Sequence, residues 1–497
     1  MIRMGQGIKK TKWQMSPWVS LLGWTLLLCL TGCNSNATLR QAQAVYRVGD
    51  LHAAREHIQS FVAQEGNGGD RVIAYLEQGT IFRELQDLSS SETSFQIADE
   101  RIDQLDDQPD ISLSEEVYST VTNMNNLVYR GYSYDRVMLS VYRALNNMQL
   151  GNFPAARVHL IRAYNRQVQA VDRNAKRIEK AQQVSSEVAS DKRVDVARTQ
   201  NDPGFLSNLK KHYGNLSQYH AYADYVNPFA EWLQGLYFFA DAADGSDLER
   251  ARKSMERTLG MVPANQMVRD DLAMIQAIQN GKPVEPMTYV IFATGTAPIR
   301  GEIRLDIPVF LVARDVDYVG VNFPKLVMNS NFLRTLNVHS QGRRYRTQLL
   351  ADMDSIVAQE FNNQLPIIIT RTIISAASKA AVAYGLQQTI NNQNSWEALA
   401  IRLATAAYQV STNEADLRTW ASLPKQFQIA RFPTPANRRI ELQGNVAGVT
   451  SVSLSSQQIN VVYVRSLAPY VPYEISQFSF GKGSSSWQNA ASNSSLH

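Results

Sequence analysis

One change of hydrophobic period divides this chain. From about residue 38 to residue 280 the apolar residues recur at helical spacing. Past Lys282-Pro283 and Pro286 they alternate, or run as short apolar blocks of strand type. With 497 residues, 44% hydrophobic and 19% charged, the chain has ample material for packed cores. A domain takes roughly 100–200 residues, so two or three domains are expected. The reading is mainly α: a helical domain over 40–283, then an α+β domain over 287–470 with an inserted helical segment. The Ser-, Gly- and Asn-rich stretch 471–497 reads as a disordered tail.

Inside the helical part four stretches share a pattern. The first is Tyr46, Gly49-Asp50-Leu51 and Ala54. The second is Gly79, Phe82, Asp87, Ser91, Phe95 and Ala98. The third is Gly151-Asn152-Phe153, Ala156, Leu160 and Ala163. The fourth is Gly235, Phe238, Asp247-Leu248, Ala251 and Met255, with Pro263 beyond. Each reads as two helices joined at a small or polar turn, with a small residue letting them approach. The pattern resembles the tetratricopeptide repeat, and implies a solenoid of helical hairpins with a concave binding face. Ala54, Ser91, Ala156 and Ala251 are spaced 37, 65 and 95 apart, so only the first gap is near a single repeat. A generic array of helical hairpins is the alternative. Residues 164–215 hold few large apolar side chains and read as a solvated helical extension, with a loop near Asn201–Gly204; a partner-docking arm is the sharper alternative.

After the boundary, Tyr289–Phe292, Arg300–Ile307, Val309–Val312 and Val316–Val321 read as strands. Residues 343–410 read as helix again, with Asp352 and Asp354 early in one helix and Pro366 in the first turn of the next. Strands resume at Gln428-Ile429, Arg439–Leu442 and Ile459–Val464. The apolar stretch Leu365–Leu386 has membrane-span length, but Arg371 and Lys379 lie inside it. A charge at a bilayer centre costs about 2.5–3.5 kcal/mol, so a core helix is the better reading, with Arg371 meeting a carboxylate.

The amino end carries an address. A basic stretch through residue 17 precedes the apolar run Trp18–Leu30, which ends in Leu30-Thr31-Gly32-Cys33. The run is too short to span a bilayer, which needs about 20 residues, and reads as a signal-peptide core over residues 1–32. The tetrad resembles the lipobox of bacterial lipoproteins, which implies that Cys33 becomes the acylated first residue. Residues 33–39 then form the lipidated cysteine and a short polar tether. By the same resemblance Asn34, in place of Asp, implies delivery to the outer membrane. Cys29 is cut away, so no free thiol is left for catalysis, redox pairing or a thiolate zinc site.

Charge excludes one partner class. There are 49 Lys+Arg against 45 Asp+Glu, but Arg3, Lys9, Lys10 and Lys12 belong to the leader. The body is left balanced, with no excess for phosphate backbones, so a nucleic acid is not an expected partner. No nucleotide-binding glycine motif, nucleophile elbow or paired-histidine zinc motif is present, and no cofactor or metal is expected. His52 and His57 are five apart and do not share a helical face. Asp352, Asp354 and Glu360 are the carboxylates available to a glycan- or peptidoglycan-acting enzyme, the rival reading. The positive signal is an aromatic and basic cluster: Tyr129, Arg130, Tyr132, Tyr134 and Arg136. Tyr and Arg are enriched at binding hot spots, so these five are the protein-binding candidates, against tyrosines that simply pack a helix on its neighbour. Trp420 reads as core.

The segments YDRVMLSVYRALNNMQLGNFPAARVHLIRAYNRQ (134–167), TGTAPIRGEIRLDIPVF (294–310), ADMDSIVAQEF with LPIIITR (351–371) and ADLRTWASLPKQFQIAR (415–431) resemble a family of bacterial tetratricopeptide-like outer-membrane lipoproteins. That resemblance implies no catalytic residue. It implies a lipid-anchored, periplasm-facing scaffold at the outer membrane that binds an envelope-assembly protein. A carrier of an apolar ligand, held between the sheet and residues 365–386, is a third alternative.

Overall fold

The computed structural model describes residues 35–107, 128–189, 196–219, 222, 225–310, 317–390, 415–444 and 448–481. The leader and Cys33 lie outside them. Twelve helices and eleven strands are present among these residues.

All four hairpins read from the sequence form. They pair α1 (Ser35–Arg47) with α2 (Leu51–Glu65), α3 (Arg71–Glu84) with α4 (Leu88–Asp107), α5 (Ser133–Gln149) with α6 (Phe153–Ala189), and α9 (Pro228–Ala240) with α10 (Gly245–Met261). The turn glycines Gly49 and Gly151 sit at φ 87° and 77°, where a side chain is strained. Asp50 and Asp244 cap the second helices of their hairpins by accepting backbone N–H bonds. Gly79 and Gly235 are the close crossings: a Cβ on Gly79 would sit 2.5 Å from the Phe95 ring, and one on Gly235 2.9 Å from Met255. Three further helices are α7 (Val196–Gln200), α8 (Pro203–Tyr213) and α11 (Gln266–Gln279). Residues 203–213, next to the expected loop, are helical because Asp202 caps Phe205 and Pro203 takes the first turn.

The second half is built on one five-stranded sheet in the order β11-β10-β1-β7-β6. Its members are β1 (Met287–Thr294), β6 (Gln348–Asp352), β7 (Gln426–Pro433), β10 (Ile459–Ser466) and β11 (Glu474–Phe480). Only β1 and β10 run parallel, Met287 opposite Ile459 through Thr294 opposite Ser466. Both are buried along their whole length, as a strand covered on both faces must be. One face, with Tyr289, Ile291, Ile429 and Val461, joins the core of the helical array. The other, with Val290, Phe292, Phe432 and Val464, packs on a four-stranded sheet in the order β5-β4-β8-β9. That sheet comprises β4 (Asn337–Ser340), β5 (Arg343–Arg346), β8 (Arg439–Gln443) and β9 (Thr450–Ser453). A hairpin of β2 (Ile299–Val309) and β3 (Asp317–Val327) packs Leu305, Ile307 and Phe323 against α8 and α12 (Met353–Ile390).

Several expectations change. The helix expected from residue 343 starts at Met353, and residues 343–346 and 348–352 are strands. Gln341 and Gly342, at φ 50° and 75°, make the tight turn that pairs β5 back on β4. Pro366 lies within α12 rather than opening a new helix. The tail begins with an ordered strand, β11, which pairs with β10. Helix α1 starts at Ser35, so the polar tether after Cys33 is shorter than residues 34–39. No described helix is long and apolar enough to cross a membrane. The side chains of Arg371 and Lys379, and residues 391–414 of the expected 343–410 helix, lie outside the described residues.

Candidate functional site

The array has an inner and an outer row. Helices α3, α5 and α9 are buried on nearly all sides, while α2, α4 and α10 bury one stripe. The inner row faces the chain's own sheet and the segment 415–425 leading into β7. Trp420 is fully buried between Phe95 and Tyr142, with ring centroids 5.8 and 5.6 Å away, and its Nε1 donates to Thr80 at 2.9 Å. The Ala421 N–H donates to Glu77 at 2.7 Å, and Gln43 donates to the Thr419 carbonyl. The inner row is thus covered by this protein's own chain.

Charges seal that contact. Arg465 on β10 is buried and donates to the Gly295 carbonyl at 2.6 Å, with Glu84 of α3 at 3.4 Å. Burial pushes the Glu84 carboxyl up, and Arg465 and Arg83 pull it back. Arg418 meets Asp70 at 2.7 Å and Asp416 at 2.8 Å. A buried cation without such partners would cost several kcal/mol, so these arginines bind the two halves in one register.

The five protein-binding candidates do come together, but inward. Tyr129, Tyr134 and Arg136 are 3%, 4% and 5% exposed. Tyr132 stacks on Tyr134 at 5.5 Å and lies under the Arg300 guanidinium at 4.1 Å. Arg136 pairs with Asp106, and Arg130 donates to the Leu105 carbonyl. These residues knit α4, α5, β2 and α12 together, with Tyr129, Tyr134 and Arg136 buried and Arg130 and Tyr132 half-buried. Sequence reasoning missed what anchors them. Asp135 accepts from the Tyr129 hydroxyl at 2.5 Å and the Tyr132 N–H at 2.8 Å. Glu360 of α12 accepts from the Ser133 and Tyr134 N–H groups at 2.7 and 3.1 Å, capping α5 from another element. Burial pushes the Asp135 carboxyl up to about 7, against the pull of those hydrogen bonds. A small pocket beside Tyr134, Asn227 and Glu360 has about 10 Å³ of room, enough for roughly one water.

The carboxylates of the rival reading have structural partners. Asp352 accepts from the Asp354 N–H and the Ser355 hydroxyl, and so caps α12. Asp354 is buried against the Lys425 ammonium; burial pushes its carboxyl up to about 6 and Lys425 draws it down. Glu360 is spent on the helix terminus. Among the described residues no group of three acid, His or Cys side chains is placed to hold a metal.

Between α4, α5 and α6 runs a largely buried ladder of ion pairs. Asp99 meets Arg143 at 2.6 Å and Arg162 at 3.3 Å, and also pairs with Arg166. Burial alone would raise Asp99; the three arginines hold it below the usual carboxylate range. Beyond the ladder, α6 shows Val168 and Val171, 54% and 52% exposed and one turn apart.

No family model matches the chain. No curated protein is similar to it. Among solved structures, a tetratricopeptide repeat protein from Parabacteroides merdae aligns at 14% identity over 49% of this chain and all of that one, with a TM-score of 0.14.

Proposed function

We propose that the chain is a lipid-anchored periplasmic scaffold at the outer membrane that binds an envelope-assembly protein and has no catalytic activity of its own. The observation that carries this reading is Leu30-Thr31-Gly32-Cys33, closing an apolar run immediately before the helix that begins at Ser35. Acyl chains on Cys33 would hold the folded body against the lipid, each buried CH₂ contributing about 0.8 kcal/mol. The helical hairpins and the structural employment of Asp352, Asp354 and Glu360 favour binding over catalysis. With the inner row covered by the chain itself, the outer helix surfaces are left for a partner, and Val168 with Val171 on α6 is one apolar spot among them.

The test uses the full chain in a Gram-negative host. Labelled palmitate should enter the wild-type protein and not the Cys33→Ser variant, and the wild type should fractionate with the outer membrane. A photo-crosslinker at Val168 or Val171 should give one discrete envelope-protein adduct. An unlabelled wild type in the aqueous fraction removes the anchor. Labelled protein with no discrete adduct removes α6 as the docking surface.

A further inference from the structure

The four-stranded sheet is the outermost layer of the C-terminal half, and its charge is lopsided. Residues 329–350 and 434–458, which hold its strands and flanking loops, contain six arginines, no lysine and one acid, Glu441. The body as a whole is balanced, so this local excess of positive charge is offset by an acidic excess over the rest of it. Pleating sorts the strands into two faces. Val338, Tyr345 and Leu442 turn inward onto the large sheet. The cross-strand rows that turn outward are Arg344-His339-Glu441-Ser451 and Arg346-Asn337-Gln443. Arg343, at the hairpin end, is exposed as well, as are Arg344 and Arg346. None of these three has an ion-pair partner among the described residues.

We propose that this arginine face docks on an anionic phospholipid surface. Charge on an edge strand also discourages strand pairing between molecules. One or two charges serve that purpose, whereas β5 spends three of its four positions on arginine. A guanidinium presents a planar fork of donors that engages phosphate oxygens in pairs, which an ammonium does not. The face also lacks what a folded protein partner would need. Protein interfaces centre on apolar and aromatic anchors. Here the only aromatic side chain of β4 and β5, Tyr345, is turned inward and stacked on Phe432 at 4.6 Å. The outward strand rows are polar and arginine-rich, which fits a layer of phosphate headgroups, where each basic residue adds to the attraction and salt weakens it. The lipid-anchored reading only supplies the bilayer within reach; the face itself is tested without the anchor.

The assay is co-sedimentation of residues 34–497, which keep every described residue but carry no acyl chain, with vesicles. Equimolar phosphatidylglycerol and phosphatidylcholine is compared with phosphatidylcholine alone, at 20 and 300 mM NaCl. Binding should appear with phosphatidylglycerol at low salt and fall at least tenfold at high salt. Arg343→Gln, Arg344→Gln and Arg346→Gln together should lower the partition coefficient at least tenfold with an unchanged melting temperature. Removing three exposed cations elsewhere (Arg40, Lys210 and Lys211, each to Gln) should change it less than twofold. Equal binding to both vesicle types overturns the proposal, as does unchanged binding of the β5 variant or an equal loss in the control variant. Failure here with palmitate still on Cys33 would leave the anchor standing.

Discussion

Arginine serves two opposite purposes in this protein. Arg465 and Arg418 are sealed between the helical array and the sheet, and each donates to a carbonyl or carboxylate. Arg343, Arg344 and Arg346 stand on the outermost strand and pair with no acid among the described residues. The difference is solvent. Away from water an unpaired guanidinium costs several kcal/mol, so the fold surrounds it with acceptors; in water the same group costs little and stays available to something outside.

The sharpest way to break this comparison is to remove one arginine of each kind. Arg465→Ala leaves Glu84 without its buried counter-charge and the Gly295 carbonyl without its donor, and should cost about 3–5 kcal/mol in urea unfolding. A loss below 1 kcal/mol would mean that the seam is held by packing alone. Next in size is a pH effect. The folded chain holds a proton on Asp135 up to about pH 7, whereas an unfolded aspartate releases it near 3.9. The fold therefore binds the proton more tightly, and stability is complete below about pH 4 and declines as pH climbs toward 7. Asp354, raised to about 6, acts in the same direction. The wild-type urea midpoint should fall between pH 4 and 7, and Asp135→Asn should flatten that fall; an identical slope would remove Asp135 as its source. The smallest expected effect is Arg344→Gln, within about 0.5 kcal/mol of wild type because nothing folded depends on it. A larger loss would show that the outer face has a structural duty after all.

The legible parts of the fold are those written locally. Gly79 with Phe95, Gly235 with Met255 and the turn at Gly49-Asp50 each mark a hairpin within about twenty residues, and all three mark real ones. The strands β1, β2 and β10 were visible as apolar or alternating runs. The illegible parts depend on distant partners. Trp420 reads as core from its type, but nothing near it says that its ring enters a hairpin array some 340 residues earlier in the sequence. Tyr129, Tyr132 and Tyr134 carry polar tips and so look like a surface; only Asp135, Glu360 and Arg300 turn them into an interior. Asp352 and Asp354 read as a possible carboxylate pair, until one caps a helix and the other finds Lys425. The strand β5 was hidden because arginine has no strand signature, and the Gln341-Gly342 turn was its only mark.

The parallel seam of β1 and β10 joins residues 287–294 to 459–466. A ribosome makes the chain amino end first, so every hairpin is synthesised before the strand that completes its lining. Until residue 466 has emerged, the greasy hollow of the nascent array stays open to water and to other chains. A stop codon ahead of that point would thus spare the hairpins themselves while stranding them unlined.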